Sequence, residues 1–327
     1  MRWLNILSFP LCFAAAPALA LMPVAQLNKP GCHSIKTSQE EEFRKLLQEV
    51  NVGENDGRDA ISMFTRDISV RDQLNLARIS GDIVCTIDGQ VLQANARLIE
   101  DGGQIITNAH VFVGKNKKID KKRLPSCTFT SKSNPSHPIP VVLREGSYFF
   151  GSDSPLSDHL NDVALARLGE TVRDVEIPKF GKPAEIGETV ILVTTSADFS
   201  KKQIDSNQLV AQICDVNRSG PAKPGQGSYF FSECSSVPGD SAGVYYINRG
   251  GEFQAVGIHE GGGDVAMNGA PYDINHPDPK KRSFSLGLGF DERILQESRD
   301  LAIRGTNQAD AKGDRKVNSV PGRPASG

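Results

Sequence analysis

Short apolar or alternating runs, separated by Gly, Pro, Asn and Asp, make up most of the chain between about residue 79 and residue 290. Alternation of apolar and polar residues over a few positions, bounded by turn-forming residues, predicts half-buried β-strands. The clearest of these runs are 103–107, 141–143, 162–168, 189–194, 229–232, 242–247 and 254–259. This central part of the chain is therefore predicted to be all-β.

Helical patterning is confined to the two ends of the chain. Residues 38–50 carry apolar side chains at intervals of three and four positions, inside an otherwise polar and charged segment, 21–78. Residues 293–303 are predicted to form a C-terminal helix, after which residues 305–327 contain no aromatic residue and are rich in Gly, Ala, Asp, Asn and Lys. That composition predicts a disordered tail.

The first 20 residues have the three regions of a cleavable secretory signal. Met-Arg-Trp precedes an apolar run from Leu4 to Ala16, and Ala-Leu-Ala follows at residues 18–20. The apolar run is interrupted by polar residues and a proline, and it is shorter than the roughly 20 residues that span a membrane. We expect cleavage after Ala20, no stable membrane insertion afterwards, and a secreted or periplasmic protein.

Composition narrows the function classes. Lys and Arg total 37 against 39 Asp and Glu, a net charge of −2, so nothing favours a nucleic-acid partner. Of six cysteines, Cys12 lies in the signal, which leaves an odd number of five in a compartment that permits disulfides. No Cys or His spacing is typical of a metal site, since Cys32-His33 stands alone. We therefore expect no metal.

Three short segments carry candidate chemistry. They are Ile-Ile-Thr-Asn-Ala-His-Val at 105–111, Asn-Asp-Val-Ala-Leu at 161–165 and Pro-Gly-Asp-Ser-Ala-Gly at 238–243. A serine hydroxyl becomes a strong nucleophile when an imidazole takes its proton, and a buried carboxylate fixes the tautomer of that imidazole. His110, Asp162 and Ser241 would fill these roles.

Together the segments resemble the trypsin-like serine protease family, in its His, Asp, Ser order. The resemblance covers about residues 79–290. It implies two antiparallel Greek-key six-stranded β-barrels with the active site between them, and peptide-bond hydrolysis through an acyl-enzyme without a metal or organic cofactor. Protein or peptide substrates are implied as partners, and the backbone N–H groups of Gly239 and Ser241 as the oxyanion hole. The sequence makes no prediction of oligomeric state.

The resemblance also sets the predicted organisation and disulfides. The predicted segments are a signal at 1–20, an N-terminal extension at 21–78, barrels at 79–177 and 178–290, a helix at 291–304 and a disordered tail at 305–327. By placement around the histidine loop and before the nucleophile, we expect the pairs Cys85–Cys127 and Cys214–Cys234, with Cys32 left over. Other pairings stay open at this point.

Substrate preference in this family depends on the residue six before the serine and on the strand that ends in Gly-Ile-His. Here these are Ser235 and His259, and Ser236 and Gly262 would leave a pocket of moderate width. Ser235 argues against cleavage after Lys or Arg. Gly-Ile-His resembles the glutamyl endopeptidase branch, so acidic and neutral preferences both remain open, as does a merely packed histidine.

A second hypothesis, a catalytically impaired binding module, is disfavoured because all three reactive residues are present, but two departures from the family pattern keep it open. Ala242 stands where most members have glycine, and Glu260 stands where many have serine. A glutamate facing Asp162 would raise the pKa of one of the two carboxyl groups. Either Glu260 therefore points elsewhere, or the aspartate is perturbed.

Two further interpretations are weaker. Gly-Asp-Ser-Ala-Gly also matches the nucleophile elbow of esterases, but a β-branched and aromatic run follows it where that fold needs a helix. Residues 78–81, Arg-Ile-Ser-Gly, faintly resemble the junction at which trypsin-like zymogens are cut. Because Ile79 looks like the lead-in to the strand of Cys85, we expect an enzyme that is active without this cut.

Overall fold

The structure, a computed structural model, describes residues 58–195, 209–220, 227–236, 239–266 and 281–317. The predicted signal at 1–20, the predicted helix at 38–50 and Cys32 lie outside the described residues. Of the helices in the described ranges, none is both long and apolar enough to cross a membrane.

Fourteen strands and two α-helices build the described fold. The strands are β1 (Asp59–Ala60), β2 (Ser80–Ile87), β3 (Gln90–Ile99), β4 (Gln104–Thr107), β5 (Ser126–Ser131), β6 (Ile139–Val142), β7 (Tyr148–Phe150), β8 (Ala164–Leu168), β9 (Thr189–Thr194), β10 (Val210–Gly220), β11 (Tyr229–Ser232), β12 (Val244–Arg249), β13 (Glu252–Ala266) and β14 (Lys281–Gly289). The helices are α1 (Val70–Ile79) and α2 (Glu292–Val317). Short 3-10 helices lie at Ile61–Met63, Ala109–Phe112 and His159–Asn161.

The first barrel closes through strands in the order β4-β3-β2-β5-β6-β8, with β8 returning to pair with β4 and β7 added beside β8. Strand β2 shows why the sequence folds this way, since Ile83, Cys85 and Ile87 point into the core while Thr86 between them is exposed. This is the period of two that one buried face imposes on a strand.

The second barrel closes in the order β10-β11-β14-β13-β12-β9, with β9 pairing back to β10. Strand β1 adds to the edge of β10, where Asp59 lies opposite Ala211. All the pairings in both barrels are antiparallel. The prediction of two six-stranded antiparallel barrels is thus confirmed.

Helix α1 begins at a Ser69 cap whose hydroxyl accepts a hydrogen bond from the Asp72 N–H at 3.1 Å. Gln73, Leu76 and Ile79 recur every three residues and form its buried face. The sequence pattern instead predicts a polar extension over residues 21–78, without this helix. The capping serine followed by periodic apolar positions was the signal that could have located the helix.

Both expected disulfides are present. Cys85 and Cys127 lie directly opposite each other on β2 and β5. Cys214 on β10 is joined to Cys234, which follows β11, across a sequence separation of 20 residues. In the chain-entropy model, closing a loop of that size stabilises the fold by about 3 kcal/mol.

The predicted C-terminal helix is present as α2 and packs against the first barrel. Its Ser298 hydroxyl donates to Glu100 at 2.7 Å, and Ile294 and Leu301 are buried. We expected the helix to end at residue 304, whereas it continues to Val317.

Candidate active site

His110 and Asp162 lie against each other at one edge of the first barrel. His110 is in the 3-10 helix Ala109–Phe112 after β4, and Asp162 follows the 3-10 helix His159–Asn161 just before β8. Strands β4 and β8 are neighbours, with Thr107 opposite Ala164, so the two short helices leave the barrel side by side.

Three hydrogen bonds fix this pair. The His110 Nδ1 lies 2.6 Å from one carboxylate oxygen of Asp162, and the His110 backbone N–H donates to the other at 2.7 Å. The Asn108 side-chain amide donates to the Asp162 backbone carbonyl at 2.8 Å. Because the Asp162 side chain is only 1% exposed while His110 is 26% exposed, the carboxylate is enclosed and the imidazole faces outward.

The charges around His110 favour its cationic form. Burial alone would lower the pKa of His110, but the hydrogen bond and charge of Asp162, together with the charge of Glu260, outweigh it, and the pKa of His110 lies above its ordinary value. A buried carboxylate that stabilises an imidazolium is the arrangement that a histidine general base requires.

Ser241 lies in a tight turn before β12. Gly239 has φ +102°, a conformation that glycine adopts without steric cost, and the Gly243 N–H closes the turn on the Asp240 carbonyl at 2.9 Å. Within the described part of the chain, the N–H groups of Gly239 and Ser241 donate no hydrogen bond. Among the described residues, these two N–H groups next to the Ser241 hydroxyl therefore have no acceptor.

Ala242, one of the two departures from the family pattern, has φ +62° and is fully buried. A residue with a Cβ in the left-handed region carries strain of roughly 1–2 kcal/mol. The turn nonetheless forms, because the Ala242 N–H donates to the His259 carbonyl at 2.7 Å and the His259 N–H donates to the Gly243 carbonyl at 2.6 Å.

Asn95 on β3 ties the Ser241 turn to the first barrel. Its side-chain amide donates to the carbonyls of Gly239 at 2.7 Å and Ser241 at 3.0 Å, and its backbone N–H donates to the Ser241 carbonyl at 2.8 Å. The Thr107 hydroxyl, three residues before His110, donates to the Asn95 carbonyl at 2.7 Å. Asn95 therefore joins the serine turn to the strand that leads to His110.

The Ser241 hydroxyl makes no hydrogen bond to His110 among the residues that the structure describes. Loose nucleophile–base contacts are common in ligand-free active sites and tighten when substrate binds. The structure thus brings His110 and Asp162 into direct contact, and Asn95 links the Ser241 turn to the strand before His110.

Glu260, the second departure, turns toward His159. Its carboxylate lies 2.7 Å from His159 Nδ1. Burial and the nearby charge of Asp162 raise the pKa of Glu260, while the hydrogen bond to His159 opposes them. Of the two outcomes that the sequence left open, the glutamate therefore points elsewhere, although the charge of Asp162 still reaches it.

Asp240, next to Ser241, is fully buried and pairs with Arg58, whose Nη1 lies 3.4 Å from its carboxylate. Arg58 directly precedes β1 at the edge of the second barrel. Arg58, Asn95 and His159 are the residues of this site that sequence reasoning missed. Only Asn95 left a signal, as an amide between two alanines in a strand that proved to be buried.

The predicted pocket residues lie on the second barrel. The Ser235 N–H donates to the Gln212 side-chain oxygen at 2.8 Å, and the Ser235 hydroxyl is buried without a hydrogen-bond partner among the described residues. Ser236 follows it and is partly exposed. Gly262 lies on β13 opposite Ser285 on β14, the strand beside β11.

His259 is 1% exposed and packs edge-on against Tyr245. The Tyr245 hydroxyl lies 3.1 Å from His259 Nδ1 and accepts a hydrogen bond from Ser232 at 3.4 Å. Burial, with a smaller contribution from the charge of His110, lowers the pKa of His259 to about 3. His259 is thus a neutral imidazole, and its Nδ1 is engaged by the Tyr245 hydroxyl.

The esterase alternative can be judged from this geometry. Ser241 leads into strand β12 instead of a helix, so the nucleophile-elbow interpretation and the esterase built on it do not hold. Across the described ranges, no group of three or more His, Cys, Asp and Glu side chains is arranged to hold a metal ion.

Comparison with known proteins identifies the fold. No protein-family model and no curated protein sequence matches the chain. Among solved structures, it is similar to a Glu endopeptidase in complex with MPD, at 13% identity and a TM-score of 0.50, covering 76% of this chain and 98% of that one. Protease Anisep from Arthrobacter nicotinovorans matches at 12% identity and a TM-score of 0.48, covering 69% of this chain and 96% of that one. The chain has the chymotrypsin fold, the fold of the trypsin-like serine proteases.

Proposed function

We propose that this chain is a serine endopeptidase that hydrolyses peptide bonds with Ser241 as nucleophile, His110 as general base and Asp162 as the orienting carboxylate. The observation that carries the proposal is the enclosed pair of His110 Nδ1 and the Asp162 carboxylate, 2.6 Å apart, with Asn95 hydrogen-bonded to the Ser241 turn. No metal or organic cofactor enters this mechanism.

In the first step the Ser241 oxygen bonds to the substrate carbonyl carbon while its proton passes to the imidazole of His110. The N–H groups of Gly239 and Ser241 receive the negative charge that develops on the carbonyl oxygen. His110 then gives the proton to the departing amine, which leaves an acyl-enzyme. Water, deprotonated by the same histidine, releases the acid and restores the serine.

The proposed site of action is outside the cytoplasm, in the medium or in a periplasm, with protein or peptide substrates. Two disulfides support export, since such bonds persist in oxidising compartments. The signal-like first 20 residues support it independently.

For substrate preference, we propose that the pocket accepts side chains that offer oxygen acceptors to the neutral His259 imidazole and to the Ser235 hydroxyl. Substrate Glu and Gln side chains then compete for the pocket, whereas Lys and Arg side chains, which offer only hydrogen-bond donors, are excluded from it. A peptide-library digest at pH 6 and pH 8 tests this, and His259→Ala should lose the preference. Predominant cleavage after Lys or Arg, or an unchanged preference in His259→Ala, would contradict this role of the pocket.

Fluorophosphonate labelling separates a hydrolase from a binding module of the same fold. We expect the wild type to be labelled, and Ser241→Ala to lose labelling and to lower turnover by about 10⁶, with His110→Ala nearly as severe. Ser157→Ala is the matched control, because this serine is exposed. A folded wild type that takes no label would favour the binding module, and a labelled Ser241→Ala would refute the assignment of the nucleophile.

A further inference from the structure

We propose that Arg58 holds the Ser241 turn in its working conformation, as a positioning residue supplied by the same uncut chain. This inference rests on the proposed function. It assigns to the segment before α1 a part in the catalytic machinery that no motif in the sequence indicated.

The contact is a buried ion pair at the base of the nucleophile turn. Arg58 is 8% exposed and Asp240 is fully buried, and Arg58 Nη1 lies 3.4 Å from the Asp240 carboxylate. Asp240 stands between Gly239 and Ser241, whose N–H groups donate to no acceptor in the described ranges. Replacing Arg58 by a neutral residue takes a cationic partner away from a buried carboxylate, a cost in free energy that the turn would relieve by carrying Asp240 toward solvent.

The backbone around Arg58 is fixed independently of that pair. Asp59 and Ala60 form β1 and pair with Ala211 and Val210 of β10. The Ile61 N–H then donates to the Leu209 carbonyl at 2.9 Å. Arg58 therefore emerges from an ordered strand at the edge of the second barrel, so its guanidinium is placed before any substrate arrives.

Cleavage of the chain after Arg78 could not supply a positive charge to Asp240 in place of Arg58. Ile79 is fully buried as the last residue of α1, and Ser80 already belongs to β2, opposite Arg97 of β3. Freeing an amino group at Ile79 to reach Asp240 would unravel this strand from its neighbours. The charge facing Asp240 is thus built into the chain, and activity does not wait for that cut.

The first test compares Arg58→Gln with Arg78→Gln, an exposed arginine that serves as the matched control. We expect Arg58→Gln to lower kcat and the rate of fluorophosphonate labelling by about 10²-fold, the size of effect that follows loss of an oxyanion donor. KM should change little, and Arg78→Gln should match the wild type. If Arg58→Gln keeps the wild-type kcat while the wild type is labelled, this inference fails and the proposed function stands. A wild type that takes no label would overturn both.

The second test stays informative if Arg58→Gln does not fold. Arg58→Lys keeps a cation, but an ammonium loses its charge near pH 10, whereas a guanidinium does not. We expect Arg58→Lys to be active near pH 8 and to lose kcat along a new alkaline limb near pH 10 that the wild type lacks. Tyr245 also interacts electrostatically with Asp240. Because burial raises the pKa of Tyr245, this tyrosine adds no such alkaline limb. Superimposable pH profiles of the two proteins would overturn the proposal.

Discussion

The two halves of the candidate site are held in different ways. On the first barrel, Asp162 and His110 face each other through contacts that their own barrel supplies, including the amide of Asn108. On the second barrel, the turn of Ser241 is bonded to the His259 backbone of its own barrel and is also held by groups far away along the chain. Arg58 contacts Asp240 across 182 residues, and Asn95 contacts Gly239 across 144.

The His110–Asp162 pair is thus a self-contained element, whereas the Ser241 turn is assembled from residues far apart along the chain. The His110–Asp162 geometry follows once β4 and β8 pair, because both residues lie within a few positions of those strands. The nucleophile turn contains two residues with positive φ, Gly239 and Ala242, and such backbone persists only where the surroundings over-determine it. Mutations on the first barrel should therefore change chemistry, and mutations around the turn should also change conformation.

The largest expected effect comes from the self-contained half. Asp162→Asn should lower kcat by about 10⁴-fold, since an amide presents the wrong partner to His110 Nδ1 and no longer fixes the tautomer. The fold should be kept, because the Asn108 bond reaches the backbone carbonyl of residue 162 and not its side chain. Steady-state kinetics with thermal unfolding checks both parts.

Asp153→Asn is the control for that change, because Asp153 is an exposed acid that pairs with Lys121 on the surface. It should leave kcat within about twofold of the wild type, as a surface ion pair contributes little. Wild-type kinetics in Asp162→Asn would mean that the enclosed carboxylate has no role in turnover.

A middle-sized effect concerns the pH profile. Catalysis by a general base requires neutral His110, so kcat/KM should rise with pH through the pKa of His110, which lies above its ordinary value of 6.5. The charge of Glu260 is one of the causes that raise this pKa. Glu260→Gln should therefore move the acidic limb to lower pH, by less than about one unit.

The matched control is Glu170→Gln, because Glu170 also pairs with a histidine, His137, but on the surface. Its pH profile of kcat/KM should coincide with that of the wild type. If the acidic limb of the kcat/KM profile stays in place in Glu260→Gln, or moves to higher pH, then the charge of Glu260 does not raise the pKa of His110.

The sequence predicted the self-contained parts of the molecule better than the assembled ones. The runs 189–194 and 229–232 coincide with β9 and β11, because each keeps the alternating or apolar pattern of a strand. The sequence pattern does not predict strand β3, because polar residues of this strand are buried between the barrels. Asn95 binds the serine turn, and Arg97, fully buried, donates to the Pro178 carbonyl and lies over the Tyr246 ring.

Arg58 escaped for a related reason. A single arginine in a polar segment carries no periodic signal, and its partner Asp240 lies 182 residues away. A contact between residues so far apart along the chain forms only when the second barrel has folded, so a local sequence pattern cannot indicate it. The candidate His, Asp and Ser residues could be located because their neighbouring residues form motifs.

The smallest expected effect lies within the turn itself, at Ala242. Ala242→Gly relieves the left-handed strain of φ +62°, which stabilises the fold by about 1 kcal/mol. The same change removes a buried methyl group worth about 0.8 kcal/mol, and it raises the conformational entropy of the unfolded chain, which also destabilises the fold. These contributions offset one another, so the free energy of unfolding should change by less than about 1 kcal/mol, as denaturant titration would measure. Gly239→Ala is the informative counterpart, because φ +102° is a conformation that a residue with a Cβ rarely adopts, and it should lose labelling. A tenfold loss of kcat in Ala242→Gly would mean instead that the methyl group itself positions Ser241.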